Sequence, residues 1–338
     1  MVVLKIKRPA LIIWLLAAAL MAGIVVSFML GRYPIQPGDL FGILLSPVFP
    51  IEQTWTDQMR TILWNVRLPR ILLACMVGAC LSGAGAAYQG IFQNPMASPD
   101  VLGASAGAAF GAALAILLGA SRNVVTLAAF AGSLLAVCLV WTIGRLTRGK
   151  QLVSLILAGI MISSLFQAGT SYIKLVADPT NQLPEITYWL MGSLSGARMS
   201  DVLFALPLMA AGTVPLILLR WKLNLLTLGD DEAKTMGVAA PALRLVVILS
   251  ATILTASAVA VSGTIGWVGL VVPHLVRRMT GNDYRYLTPA SLLGGGLFLL
   301  IVDDVSRNLL ATEIPLGILT AFVGAPFFLW LIIRGRNA

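Results

Sequence analysis

Apolar runs long enough to cross a bilayer recur roughly every 20 to 30 positions along this chain, and few folds can accommodate them. A hydrocarbon layer about 30 Å thick is crossed by ~20 apolar residues in helical form. Within it every backbone N–H and C=O must be paired inside the chain, which leaves helices or a closed barrel. Runs of this length are helical, and ten can be placed: 10–31, 70–92, 101–119, 123–144, 152–175, 200–219, 243–262, 265–279, 287–307 and 314–333, the eighth being the shortest. With 58% hydrophobic and 11% charged residues among 338, no polar shell is left over to wrap a soluble core. The expected fold is therefore an all-α polytopic membrane protein of about ten transmembrane helices, with residues 1–338 forming a single domain. Its 32 glycines suit helices packed in lipid, where small residues let backbones approach.

The first run follows Lys5, Lys7 and Arg8, as a signal peptide would. Its ~20-residue length exceeds the 7 to 15 of a signal's apolar region and no small-residue cleavage site closes it, so it reads as an uncleaved first helix. Cys75, Cys80 and Cys138 all fall inside spans. Cys75 and Cys80 are five apart and lie on different helix faces, which points to core packing and not to a metal site.

Lys and Arg collect on the cytoplasmic side of membrane proteins. With the N-terminus inside and ten alternating spans, 15 of the 23 basic residues fall in the cytoplasm, Arg145, Arg148, Lys150, Arg220, Lys222, Lys234, Arg277, Arg278 and Arg285 among them. Both termini are then cytoplasmic, and the net charge of +9 reflects topology, with no implication of nucleic-acid binding. Two extracytoplasmic segments, 32–69 and 176–199, are long. The largest cytoplasmic loop, 220–242, contains "LGDDEAKTMGV". Gly229 acts as a breaker, Asp230, Asp231 and Glu232 sit in a first helical turn where the dipole favours acids, and Gly237 closes the helix. On pattern alone this is a solvated connector or a partner-facing element.

Three motifs suggest other classes. "GRLTRGKQ", 144–151, has the frame of a phosphate-binding loop, but Gln151 stands where a magnesium-binding hydroxyl is required and no strand precedes it. "GASAG", 103–107, has serine-hydrolase spacing, so Ser105 with the lone His274 would define an intramembrane protease; the motif requires a strand-to-helix turn that a membrane helix does not supply. A secondary transporter would carry ionisable residues in mid-membrane. Only Asp303 and Asp304 approach that condition, near the outer end of a span. On the fifth helix Ser163, Gln167, Thr170, Ser171 and Lys174 recur at spacings of three and four, which makes them either interhelical glue or the wall of a path.

From residue 67 onward the chain resembles the FecCD and BtuC-like permeases of binding-protein-dependent ABC importers. The matching stretches are "RLPRILLACMVGACLSGAGAAYQGIFQNPMASPDVLGASAGAAFGA" from 67, "LGDDEAKTMGV" from 228, "SGTIGWVGLVVPHLVRRMTG" from 262 and "DDVSRNLLATEIPLGILTAFVGAPFFLWLI" from 303. The resemblance implies a ten-helix subunit of a bacterial or archaeal cytoplasmic membrane, without catalytic residues or a cofactor of its own. It implies two permease copies, two cytoplasmic ATPase subunits that bind ATP and magnesium, and an extracytoplasmic substrate-binding protein. The loop 220–242 would form two short helices docking into the ATPase, with Gly229 at the bend, the acids Asp230, Asp231 and Glu232 facing the partner, Ala233 and Met236 as an apolar contact surface, and Gly237 at the close. The stripe from Ser163 to Lys174 would line the path at the dimer axis. Arg67, Arg70 and Arg307 would pair with glutamates of the binding protein, the alternative being ordinary interfacial anchors. Asp303, four residues before Arg307, is expected to hold that side chain in the free permease. Implied cargoes are metal chelates, a ferric siderophore first, with haem, cobalamin or an oxyanion as alternatives.

Overall fold

A computed structural model describes residues 9–33, 35–46, 48–147 and 151–335. The elements are helical: α1 (Pro9–Met29), α2 (Pro37–Leu45), α3 (Asp57–Ile62), a π turn at Leu63–Arg67, α4 (Leu68–Ile91), a 3-10 turn at Pro99–Leu102, α5 (Ala104–Leu117), α6 (Arg122–Leu146), α7 (Gln151–Val176), α8 (Gln182–Leu190), α9 (Met199–Leu226), α10 (Asp230–Thr235), α11 (Ala240–Ser262), α12 (Val268–Thr280), α13 (Tyr284–Asn308) and α14 (Leu316–Gly335). Each of the ten expected spans corresponds to one helix: α1, α4, α5, α6, α7, α9, α11, α12, α13 and α14. Among the described residues seven helices are long and apolar enough to cross a membrane, the one containing α4 being continuous from Asp57 to Ile91. Of the other three, α5 and α12 are shorter, with 14 and 13 residues.

Burial separates centre from periphery. In the most apolar window of α4, 78% of residues are inside the protein, with 72% for α11 and 61% for α13, against 17% for α1 and 28% for α7 and α9. The centre is built on small residues: a β-carbon added at Gly78 would collide with the Gly295 carbonyl of α13, and one at Gly85 with Gly269 of α12. At these contacts backbones lie against each other, which is how helices gain dispersion contact where no hydrophobic drive exists between them. The peripheral helices leave their large apolar side chains bare, Trp14, Met161, Leu165, Leu175 and Phe322 among them. In water this would be a defect; in lipid it is the expected surface.

α5 and α12 are short because the chain leading into each enters the bundle before helix begins. After α4 the segment 92–103 folds back: the Val101 carbonyl lies against Gly159 of α7 and Pro99 against Gly269 of α12. Gly103, at φ +78°, turns the chain into α5. Before α12, Gly263 at φ +69° and Trp267 at φ +69° mark a similar descent. The expected span 101–119 therefore starts inside the bundle.

Candidate functional site

The elements converge on two ends of the bundle, here called the arginine end and the loop end. At the arginine end the continuous helix through α3 and α4 changes pitch in the π turn Leu63–Arg67, and this aims Arg67 at the last turn of α1. Its guanidinium donates to the carbonyls of Phe28 and Tyr33. Arg307, from the last turn of α13, donates to the Ser27 carbonyl at 2.8 Å and to the Ser27 hydroxyl at 2.7 Å. The last carbonyls of a helix lack intrahelical donors and carry its negative pole, so two cations close the end of α1. Gly31 adopts φ +152°, and a β-carbon there would lie 2.7 Å from Arg67 Nη2. Only glycine fits this crossing.

Arg70 forms the centre of the cluster. Its Nε and Nη2 donate to Asp303 at 3.0 to 3.1 Å, and Nη1 donates to Glu313 at 2.8 Å. Asp303 is completely buried. The expected pairing of Asp303 with Arg307 is present but long, with Arg307 Nε 3.9 Å from the carboxylate, and Asp304, one turn before Arg307, makes the closer contact. Arg70 reaches Asp303 first because its forked donors match both carboxylate oxygens, which an i,i+4 partner on the same helix cannot do as well. Arg67, Arg70 and Arg307, expected at the surface, are only 3%, 7% and 8% exposed. With Arg32 and Glu313 they line a recess of about 210 Å³.

At the loop end, α9 runs on to Leu226, so Arg220 and Lys222 are helical and the connecting loop is 227–239. It holds one short helix, α10, where two were expected. Gly229 at φ +125° and Gly237 at φ +78° bracket it, as the sequence suggested, and a side chain at 229 would meet the Glu232 carboxylate at 2.5 Å. The side chains of Asp230 and Asp231 lie outside the described set. Ala233 is corrected from a contact residue to an anchor: it is fully buried and joins the core. In a helix of one and a half turns one side must face the protein, and the smallest residue takes that side. Met236, 59% exposed, and Leu228, 54% exposed, are the apolar groups that project.

The root of this loop is fastened to the bundle. Asn224 donates to Asp283 at 2.8 Å and accepts from the Tyr284 backbone at 2.8 Å, and Gln93 donates to the Leu226 carbonyl at 3.0 Å. A hydrogen bond from Arg285 is the main cause holding the Asp283 carboxyl down to about 2, with Asn224 contributing.

On α7 the predicted stripe divides. Gln167 and Ser171 are exposed, Ser163 and Lys174 half-buried. Thr170 is buried in the inward row with Phe166 and Ile173, and its hydroxyl, like that of exposed Ser171, donates to the carbonyl four residues back at 2.9 Å. The protease pair is not assembled: Ser105 donates to Asp100, while His274, in the middle of α12, packs against the rings of Phe327 and Phe328. Sequence reasoning passed over Asp100 and the fold-back around it. Two prolines, Pro95 and Pro99, within nine positions of a predicted helix end were the available signal.

The FecCD transport family model matches residues 19–334. The chain belongs to the FecCD transport family. FecCD relatives span several cargoes. The chain is 38% identical to a molybdate import system permease protein of Haemophilus influenzae, covering 92% of this chain and 91% of that one. It is 41% identical to a probable iron chelatin transport system permease protein of Helicobacter pylori, covering 83% and 85%. It is 42% identical to a cobalamin import system permease protein of Halobacterium salinarum, covering 84% and 76%. Among solved structures, a chain described as an inward-facing conformation of a metal-chelate type ABC transporter superposes with a TM-score of 0.85 at 37% identity, covering 96% of this chain and 99% of that one. This FecCD protein is thus a multi-pass permease subunit of an ABC importer, a class that is not catalytic and works with an ATPase and a substrate-binding protein.

Proposed function

We propose that the chain imports a metal chelate, a ferric siderophore foremost, as one of two identical permease copies in a bacterial or archaeal cytoplasmic membrane. The loop end faces the cytoplasm and the arginine end faces outward, with both termini inside. The loop 227–239 couples the permease to ATP hydrolysed, with magnesium, on the partner subunit. The observation that carries this reading is α10: a short helix bracketed by two positive-φ glycines, pinned by Ala233 and presenting Leu228, Glu232 and Met236 outward. An element held rigidly by its root and bare at its tip can take up a push from a partner and pass it to α9 and α13. The exposed face of α7, with Gln167 and Ser171, lines the path between the two copies. Arg67, Arg70 and Arg307 serve binding-protein docking by shaping the rim around Gly31 and Glu313.

The test is ATPase association. Replacing Met236 and Leu228 with Asp is expected to abolish stimulation of the partner ATPase by the permease while the melting temperature in detergent stays unchanged. Full stimulation by this variant overturns the coupling assignment. The cargo is tested by uptake into vesicles of a ferric hydroxamate against haem, cobalamin and molybdate, each with the cognate binding protein.

A further inference from the structure

Asp100 sits in the fold-back segment between α4 and α5, and its depth follows from its neighbours. The adjacent Val101 carbonyl lies against Gly159 of α7. At 1.5 Å per residue, that contact is about 12 Å along α7 from its first residue, Gln151. A helix of α7's length, 26 residues, spans about 39 Å and overhangs a 30 Å hydrocarbon layer by some 4 to 5 Å at each end. Asp100 is therefore roughly 7 Å inside the hydrocarbon boundary by the same measure.

At that depth Asp100 is nevertheless exposed. A carboxylate turned toward lipid at this depth costs several kcal/mol, so charged groups inside membranes face a water-filled route or a partner. Among the described residues no Lys or Arg forms an ion pair with Asp100. Its bonded partner is the hydroxyl of Ser105, in the first turn of α5, which donates to the carboxylate and fixes its direction. Ser105 is itself half-exposed. The adjoining helix is α7, where Ser163 Oγ would lie 2.9 Å from a β-carbon on Gly103. The fold-back that carries Asp100 thus lies against the helix assigned to the path.

We propose that Asp100, positioned by Ser105, lines the inner half of the translocation path and, together with its copy in the second subunit, selects by charge, passing neutral or cationic chelates and opposing oxyanions. This rests on the reading of the chain as a path-lining permease present in two copies, and it deepens that reading by dividing the family's cargo classes on charge. Two like charges across a narrow, partly desolvated passage act on an ion far more strongly than in bulk water, since the interaction scales inversely with the local dielectric. Carboxylate rings select cations in channels on the same principle.

The experiment places a thiol at the site by Ser105→Cys, in a full chain whose three native cysteines are replaced by alanine, co-expressed with its ATPase partner in membrane vesicles. Two water-soluble methanethiosulfonates of similar size are compared, one carrying a quaternary ammonium and one a sulfonate. The introduced thiolate displaces methanesulfinate from either reagent to form a mixed disulfide. The cationic reagent is expected to react at least roughly tenfold faster than the anionic one after correction for their rates with free thiol. Asp100→Asn should bring the two to within about twofold, and Asp100→Glu should keep the preference. Failure of both reagents in resting and ATP-driven vesicles overturns the water-lined position, and a preference unchanged by Asp100→Asn overturns the charge selection. Neither result touches ATPase stimulation, so the permease reading stands or falls separately.

Discussion

The two ends of this permease use charge in opposite ways. At the arginine end, Arg67, Arg70 and Arg307 are buried and spend their donors on Asp303, Asp304, Glu313 and the last turn of α1. At the loop end Glu232 and Lys234 are exposed, while the buried methyl group of Ala233 and the neutral donors Asn224 and Gln93 do the anchoring. The contrast shows that a charged motif at a membrane boundary can be cement or contact surface, and that burial decides which. Cement must be paired, because an unpartnered ion away from water is costly; a contact surface must be left open for a partner to pair it.

The largest effect available to break this comparison is Arg70→Ala. It leaves the fully buried Asp303 to its 3.9 Å contact with Arg307, and removing one partner of a buried pair costs about 3–5 kcal/mol. Thermal unfolding in detergent should show it, and Arg70→Met combined with Asp303→Leu should recover much of the loss, since apolar replacements of whole buried pairs are often tolerated. A loss below about 1 kcal/mol from the single change would mean that the arginine end is not cement. Next in size is Gly31→Ala. It forces a β-carbon onto Arg67 at a φ of +152°, a strain on the order of 1–3 kcal/mol read by the same melt.

Asp283→Ala should cost about 1 kcal/mol through loss of the N-cap of α13, where Asp283 accepts from the Arg285 backbone at 2.9 Å. Because its carboxyl is held below the ordinary 3.8, at about 2, the stabilisation is complete above pH 4 or so and fades as the pH falls toward 2. The variant and the parent should therefore converge in stability across that window; a gap that stays constant would remove the carboxylate from the account. Smallest in stability is Met236→Ser, expected within ~0.5 kcal/mol of the parent. Its signature is reduced ATPase stimulation, which separates contact surface from cement.

Much of this architecture was legible in the sequence. The spans were plain because each of the ten must solve the same problem of solvation by lipid, and Gly229 and Gly237 were plain because a helix between loops needs stops. What escaped was pairing across distance. Nothing local distinguishes Arg70, which grips Asp303 from 233 positions away, from an arginine that faces water. Asp303 was therefore assigned to its near neighbour Arg307 alone, with which it keeps only the longer of its two ion pairs. Ala233 and Thr170 were misplaced for a related reason: a short helix and a polar stripe each have two sides, and only neighbours brought by the fold reveal which side is inward. The fold-back at 92–103 was hidden because its entry into the bundle depends on glycines 159 and 269 of other helices.

The shortness of α5 and α12 bears on how the protein is made. Their 14 and 13 residues amount to about 21 and 20 Å of helix, short of a 30 Å hydrocarbon layer. Neither can be released sideways into lipid by the insertion machinery as a free-standing segment, because the irregular backbone attached to each would enter the bilayer with its amides bare. Both must wait for α4, α6 or α7 to supply a wall, so biogenesis has two stages, in which the long helices settle first and the half-length ones are drawn in among them. A slow step in maturation should therefore track the packing at Gly85 and Gly159 and be indifferent to the hydrophobicity of α5 and α12.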